Sequence, residues 1–253
     1  MKENVLITGA TSGIGYELAK IFARNKYNLI IAARNKALLD SMKEEFEKEY
    51  GINVSVFEKD LSRKNSAVEL FNKVKSENIQ VDILINNAGA GYVGEFLDED
   101  LNKDEAIMEL NMNSPTILTK LFAKEMAKRR GGNILNVAST GSYHPGPYTA
   151  VYYATKAYVL SLTEALAIEF KPYNVNISAL CPGATKTNFS KNAGKEDNRA
   201  AMKPSYVAEK AYKGLMKNKT TIIPGLQYKV FVMLPRKLIT PIIGKYQKSL
   251  KKN

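Results

Sequence analysis

The chain carries a single cysteine, Cys181, and a single histidine, His144, among its 253 residues. One cysteine forms no intrachain disulfide, and one cysteine with one histidine falls short of a Cys/His zinc site, so no metal is expected. The same scarcity bears on catalysis. A Ser/His/Asp triad would have to recruit His144, which sits in the loop Tyr143-His144-Pro145-Gly146-Pro147 and is expected instead to line a pocket or face water. Long apolar runs are also missing: none approaches the roughly 18 residues of a membrane-spanning helix. The apolar run after Met1-Lys2-Glu3-Asn4 is broken by Thr8 and Gly9, too soon for a secretory signal. A cytoplasmic protein is expected. No Pro/Gly/Ser-rich linker divides the chain, which is long enough to bury about 70% of its unfolded surface as one domain.

Acidic residues are scarce at one end only. From residue 203 onward there are twelve Lys or Arg and one acid, Glu209, whereas residues 1–202 carry 25 basic and 24 acidic residues. The formal charge of +12 therefore belongs almost wholly to the tail. A nucleic-acid-binding fold would interleave such charge with a recognition helix or an aromatic platform, and neither is present, so no nucleic-acid partner is expected.

What the chain does have is a regular alternation. The short apolar runs Val5-Leu6-Ile7, Leu29 to Ala32, Val54-Ser55-Val56, Ile83-Leu84-Ile85, Ile134 to Val137, Val175 to Leu180 and Thr221-Ile222-Ile223 are separated by longer amphipathic stretches such as Gly15 to Asn25, Lys36 to Tyr50 and Ala150 to Phe170. Seven strands alternating with helices predict a Rossmann-type α/β fold, a doubly wound parallel sheet with helices on both faces. Such a sheet binds ligands at the carboxyl ends of its strands, near the point where strand order reverses.

After the first strand stands Thr8-Gly9-Ala10-Thr11-Ser12-Gly13-Ile14-Gly15, opening directly into a helix. Glycines at a strand-to-helix turn let the backbone approach a pyrophosphate at the positive end of the helix, and a tight structural turn is the alternative. Where NAD enzymes place an acid after the second strand, this chain has Ala32-Ala33-Arg34-Asn35. A guanidinium there would pair with a 2′-phosphate, which favours NADP(H), unless Arg34 is only a solvated residue at a helix start.

At the end of the fifth strand comes Ser139, and thirteen residues later Tyr152-Tyr153-Ala154-Thr155-Lys156. One helical turn separates Tyr152 from Lys156, so both share a face, which Tyr153 does not. Reduction of a carbonyl by hydride needs a proton donor, and a phenol can serve if its pKa, near 10, falls toward working pH. A lysine cation about 5 Å away, at an effective dielectric near 20, would stabilise the phenolate by on the order of 3 kcal/mol, about 2 pKa units. The Ser139 hydroxyl would donate to the substrate oxygen.

With these motifs in place the chain resembles the short-chain dehydrogenase/reductase family, from residue 5 to about 187. The matching segments are the glycine loop with Gly9, Thr11, Ser12, Gly13, Ile14 and Gly15; Asp60-Leu61 after the third strand; Asn86-Asn87-Ala88-Gly89 after the fourth; Asn111; Ser139, Tyr152 and Lys156; and Pro182-Gly183-Ala184-Thr185-Lys186-Thr187. The resemblance implies that Asp60 and Leu61 contact adenine, that Asn111 holds a water against the lysine, and that Thr187 fixes the nicotinamide end. It also implies an NADP(H)-dependent oxidoreductase acting on a carbonyl or alcohol, and a homodimer or homotetramer. By residue type alone, Asn111 and Asn87 could equally be packing and hydrogen-bonding residues. Substrate choice is expected to lie with Tyr92, Val93 and Phe96, with Tyr143 to Tyr148, and with a lid around residues 188–204. The basic extension 227–253 mixes apolar and cationic residues; its apolar side is expected to cover the substrate cleft or a subunit contact, with a membrane surface the less favoured partner. Pro235 and Pro241 are expected to break it into short pieces. The alternative function is an NADP(H)-binding sensor that docks through this tail.

Overall fold

The structure, a computed structural model, describes residues 2–189, 193 and 201–250. Each apolar run forms a strand: β1 (Asn4–Thr8), β2 (Asn28–Ala33), β3 (Val54–Glu58), β4 (Ile83–Asn86), β5 (Gly132–Val137), β6 (Val175–Leu180) and β7 (Thr221–Ile222). They pair in parallel in the order β3-β2-β1-β4-β5-β6-β7. The runs in the central strands β1, β2 and β4 are continuously apolar because a parallel sheet is covered on both faces.

Alternate residues along each strand turn to opposite faces and divide the core. Val5, Ile7, Leu29 and Ile31 enter one cluster, which α1 (Gly13–Arg24), α2 (Lys36–Tyr50) and α7 (Pro204–Leu215) close with Leu18, Phe22, Leu39, Phe46 and Val207. Leu6, Ile30 and Leu84 enter the other, closed by α3 (Ser66–Ser76), α5 (Ser114–Lys128) and α6 (Ala150–Glu169) with Leu70, Val74, Leu118, Phe122 and Leu166. Helix α2 has both its ends written locally. The Asn35 side chain accepts from the Leu38 N–H at 3.0 Å, and Gly51 adopts the left-handed conformation that ends the helix. Helix α4 (Leu101–Met108) runs into α5 through a π turn, Glu109–Asn113, a distortion common at functional sites.

The basic extension folds as α8 (Leu226–Phe231) and α9 (Arg236–Ser249). Pro235 separates the two helices, but Pro241 lies inside α9 and does not end it, contrary to expectation. A proline there removes one i→i−4 hydrogen bond. Tertiary packing of Ile243, Gly244 and Gln247, all buried, carries the helix past the defect. Among the described residues, no helix is long and apolar enough to cross a membrane.

Candidate active site

Strand order reverses between β1 and β4, and the loops that follow these two strands meet there. The Thr8 hydroxyl accepts from the backbone N–H groups of Asn87 and Ala88 at 3.0 and 3.1 Å, while the Asn87 amide donates to the carbonyls of Thr8 and Gly9 at 2.9 and 3.0 Å. Asn87 is thus the brace that holds the glycine loop to the β4 end. Gly9 sits at φ 65°, and a Cβ on it would lie 2.9 Å from the Ala88 Cα. Helix α1 then begins at Gly13 behind an extended Ser12 that gives no side-chain cap, so its first N–H groups stay open to an anion. Ile14 packs on the core beneath.

Beside this cradle lies a cavity of about 330 Å³, lined by Thr11, Ser12, Gly13, Lys186, Thr187 and Asn188 among others. Thr187 closes one wall: a Cβ on Gly13 would stand 2.8 Å from its methyl group. The loop that carries it is itself tied down, with the Thr185 hydroxyl donating to the Gly183 carbonyl at 2.9 Å and the Thr140 N–H donating to the Pro182 carbonyl at 3.0 Å. Open N–H groups, a backbone with no room for Cβ and a polar cavity together fit the pyrophosphate of a dinucleotide.

At the far end of the crevice, Arg34 is exposed just beyond β2. Burial works against the Asp60 carboxylate, but the hydroxyl and backbone N–H of Ser62, with the charges of Arg34 and Arg63, outweigh it and hold the group below the usual carboxylate range. Arg34 and Asp60 therefore share one neighbourhood. Leu61 is buried, and its carbonyl accepts from the Ser114 hydroxyl at 2.7 Å.

The proton-bearing groups sit at the β5 end. Ser139 caps a short 3-10 turn, Thr140–Tyr143, in a reciprocal arrangement with Ser142. Its Oγ accepts from the Gly141 N–H at 3.0 Å, and Ser142 in turn donates to the Lys156 carbonyl at 2.7 Å, tying the turn to α6. Ser139 lies near enough to Tyr152 to bear on its phenol. Lys156 is buried, with Nζ 5.9 Å from the centre of the Tyr152 ring and donating to the Val137 carbonyl at 2.7 Å.

Burial pushes the Tyr152 phenol up to about 12, against the Ser139 hydrogen bond that pulls it down, and burial lowers the Lys156 ammonium to about 8. The phenol is thus raised where the spacing of Tyr152 and Lys156 led us to expect it lowered. The reason is that one environment penalises both charges, and the lysine donates to a backbone carbonyl instead of the phenol.

Asn111 lies in the π turn and is buried. Its amide donates to the Ala90 carbonyl at 2.8 Å and to the Thr155 hydroxyl at 3.0 Å, and its oxygen accepts from the Ala90 N–H at 3.0 Å. The side chain bonds protein groups and fixes the turn after β4 to α6. Gly89 passes between Asn111 and Lys156, where a Cβ would lie 3.2 and 3.3 Å from their polar atoms.

Other contacts were not visible in the sequence. The Phe189 ring stands 5.2 Å from that of Tyr152, and both crowd Gly91. Tyr228 of α8 presses on Gly183, where a Cβ would be 2.1 Å from the ring. Gln247 of α9 donates to the Tyr153 hydroxyl at 3.3 Å. Each pairs residues distant in sequence, and no local pattern announces it.

One expectation changes here. His144 neither lines a pocket nor faces water: it is buried, with Nε2 3.0 Å from the Phe231 carbonyl and its ring against Phe231. Tyr92 is buried toward α4, with the Lys103 ammonium 5.0 Å above its ring, while Phe96 is exposed. Of the expected lid, residues 190–192 and 194–200 lie outside the described residues.

Comparison with known proteins gives a consistent answer. Residues 3–198 match the family model described as short chain dehydrogenase. An uncharacterized oxidoreductase of Thermotoga maritima is 31% identical over 183 residues, 72% of this chain and 71% of that protein. A short-chain dehydrogenase from Sphingobium yanoikuyae, solved in complex with NADPH, superposes with a TM-score of 0.85 at 30% identity, covering 94% of this chain and 95% of that one. The bulky-bulky ketone specific alcohol dehydrogenase from Comamonas testosteroni superposes with a TM-score of 0.81 at 29% identity, covering 94% and 93%.

Proposed function

Because the chain belongs to the short-chain dehydrogenase/reductase family, we propose that this oxidoreductase uses NADP(H) on a carbonyl/alcohol pair, with Tyr152 as the general acid and base. The observation that carries the reading is the buried Lys156 ammonium 5.9 Å from the centre of the Tyr152 ring, one helical turn after it, with Ser139 near enough to pull the phenol down. When bound, the nicotinamide gives or takes the hydride.

This chain's residues do the rest. The glycine loop and the open first turn of α1 hold the pyrophosphate, and Thr187, which stands against Gly13, fixes the nicotinamide end. Arg34 takes the 2′-phosphate, and this residue together with the NADPH-bound relative supports NADP(H) over NAD(H). Ser139 already accepts from Gly141, so its proton is free to donate to charge developing on a substrate oxygen. Tyr152, protonated throughout the neutral range because burial raises it, supplies the proton in reduction. Lys156 keeps a cation beside the phenol until about pH 8. Phe189 forms an apolar wall over Tyr152, in keeping with an apolar substrate and with residues 188–204 as its lid. A homo-oligomer belongs to the same reading, on family grounds alone.

The test is consumption of NADPH and NADH by the purified protein over a panel of aldehydes, ketones and 3-oxoacyl esters, with Tyr152→Phe in parallel. NADPH oxidation that falls by about 10²- to 10⁴-fold in the variant is expected. Tight NADPH binding with no turnover across the panel would favour the sensor instead.

A further inference from the structure

Helices α8 and α9 turn an apolar stripe away from the body of the protein. Leu226 and Val230, four apart in α8, and Met233 in the turn just beyond it are 76%, 55% and 82% exposed; Leu238 and Ile242, four apart in α9, are 67% and 63% exposed. Different side chains fasten these helices down: Tyr228 on Gly183, Phe231 on His144, and the buried Ile243 and Gln247. The inner face thus packs on the body, and the outer apolar stripe is left over.

Charge completes the pattern. No Asp or Glu follows Glu209, and the two helices with the turn between them carry the exposed Lys229, Lys237 and Lys245, besides Arg236, which donates to the Tyr143 carbonyl at 2.9 Å, and Lys248, which stands over the Tyr148 ring. Among the described residues none of these five enters an ion pair.

We propose that this face docks on an anionic phospholipid bilayer, with the stripe at the acyl boundary and the cations among the headgroups. Helices that lie in a membrane interface have this division of apolar and cationic residues, and each cation near an anionic surface adds to the attraction. A second copy is a poorer occupant. Face to face, it would oppose these cations to their own copies with no acid between them, while residues 1–202 are close to electrically neutral. Nucleic acid would use the cations but not the exposed apolar stripe.

The experiment is co-sedimentation of the full chain with vesicles of phosphatidylcholine alone and of phosphatidylcholine mixed with phosphatidylglycerol, at low and high salt. Pelleting with the mixed vesicles only, weakened by salt, is the expected result. The double variant Lys237→Glu/Lys245→Glu should lose on the order of tenfold or more in affinity, and Leu238→Ser/Ile242→Ser should abolish binding at high salt and weaken it at low. Both pairs are exposed, and an unchanged thermal midpoint checks that the fold survives. No pelleting with the mixed vesicles, equal pelleting with neutral ones, or variants that behave like the parent would overturn the proposal. So would a dimer that dissociates in Leu238→Ser/Ile242→Ser without vesicle binding in the parent, since a second copy would then hold the face.

Discussion

The Ser139 hydroxyl accepts from the Gly141 N–H at 3.0 Å, which leaves its proton to be donated, and it lies near enough to Tyr152 to pull the phenol down. Ser139→Ala removes that donor without touching the dinucleotide cradle, so kcat should fall by about 10²- to 10³-fold while NADPH affinity, read by fluorescence titration, stays put. A matching loss of NADPH binding would mean that Ser139 serves the fold instead. At the other end of the crevice stands the exposed Arg34, which we propose takes a 2′-phosphate. Replacing it in Arg34→Asp should raise the KM for NADPH by roughly 10- to 100-fold, the scale of a charge-assisted hydrogen bond, and leave or improve that for NADH. Unchanged constants for both would return Arg34 to a solvated helix start. Spacing in the sequence was enough to pick out Tyr152, Lys156 and Ser139 as a group. It could not show that burial raises the phenol, because burial is a property of the packed neighbourhood.

At the scale of elements, the seven strands were readable because each parallel strand, covered on both faces, is a short apolar run. Helix α2 was readable to the residue because Asn35 and Gly51 cap it. Other features had no local signature. The π turn at Glu109–Asn113 arises within a helical pattern, and α9 survives Pro241 only because distant residues pack on it. The glycine loop depends on a partner nearly eighty residues away, Asn87, which crosses the crevice to two of its carbonyls. Asn87→Ala leaves those carbonyls without their amide donor and should cost about 1–3 kcal/mol of stability, seen as a lower denaturation midpoint, together with weaker NADPH binding. Loss of stability with cofactor affinity intact would show that the loop keeps its shape without the brace.

For the whole molecule, the buried phenols set the alkaline limit. Burial raises Tyr27, Tyr50, Tyr92 and Tyr152 from 10.0 to about 12. Between those values the unfolded chain has released protons that the folded chain keeps, so the stability these groups contribute is complete below pH 10 and is lost as pH climbs to 12. Lys156 acts in the opposite sense. Lowered from 10.5 to about 8, it is deprotonated in the folded state while the unfolded chain still binds its proton, so its contribution rises with pH across that window. Denaturant midpoints measured against pH should rise slightly above 8 and then fall steeply beyond 10, with phenolate absorbance appearing as the fold is lost. A midpoint that stays level from pH 10 to 12 would remove the buried tyrosines from this account.

By itself the sequence determined the parallel α/β fold, the glycine loop between β1 and α1, the grouping of Ser139, Tyr152 and Lys156, and a tail that holds the net charge. Each is a local pattern of period, turn chemistry or composition, and local patterns survive in one dimension. Only the tertiary structure decided that His144 is a buried anchor for α8, that Phe189 stands over Tyr152, that Lys156 reaches the Val137 carbonyl, and which face of the tail points outward. Those outcomes depend on which surfaces meet when the sheet is covered, a competition among distant side chains for the same buried space.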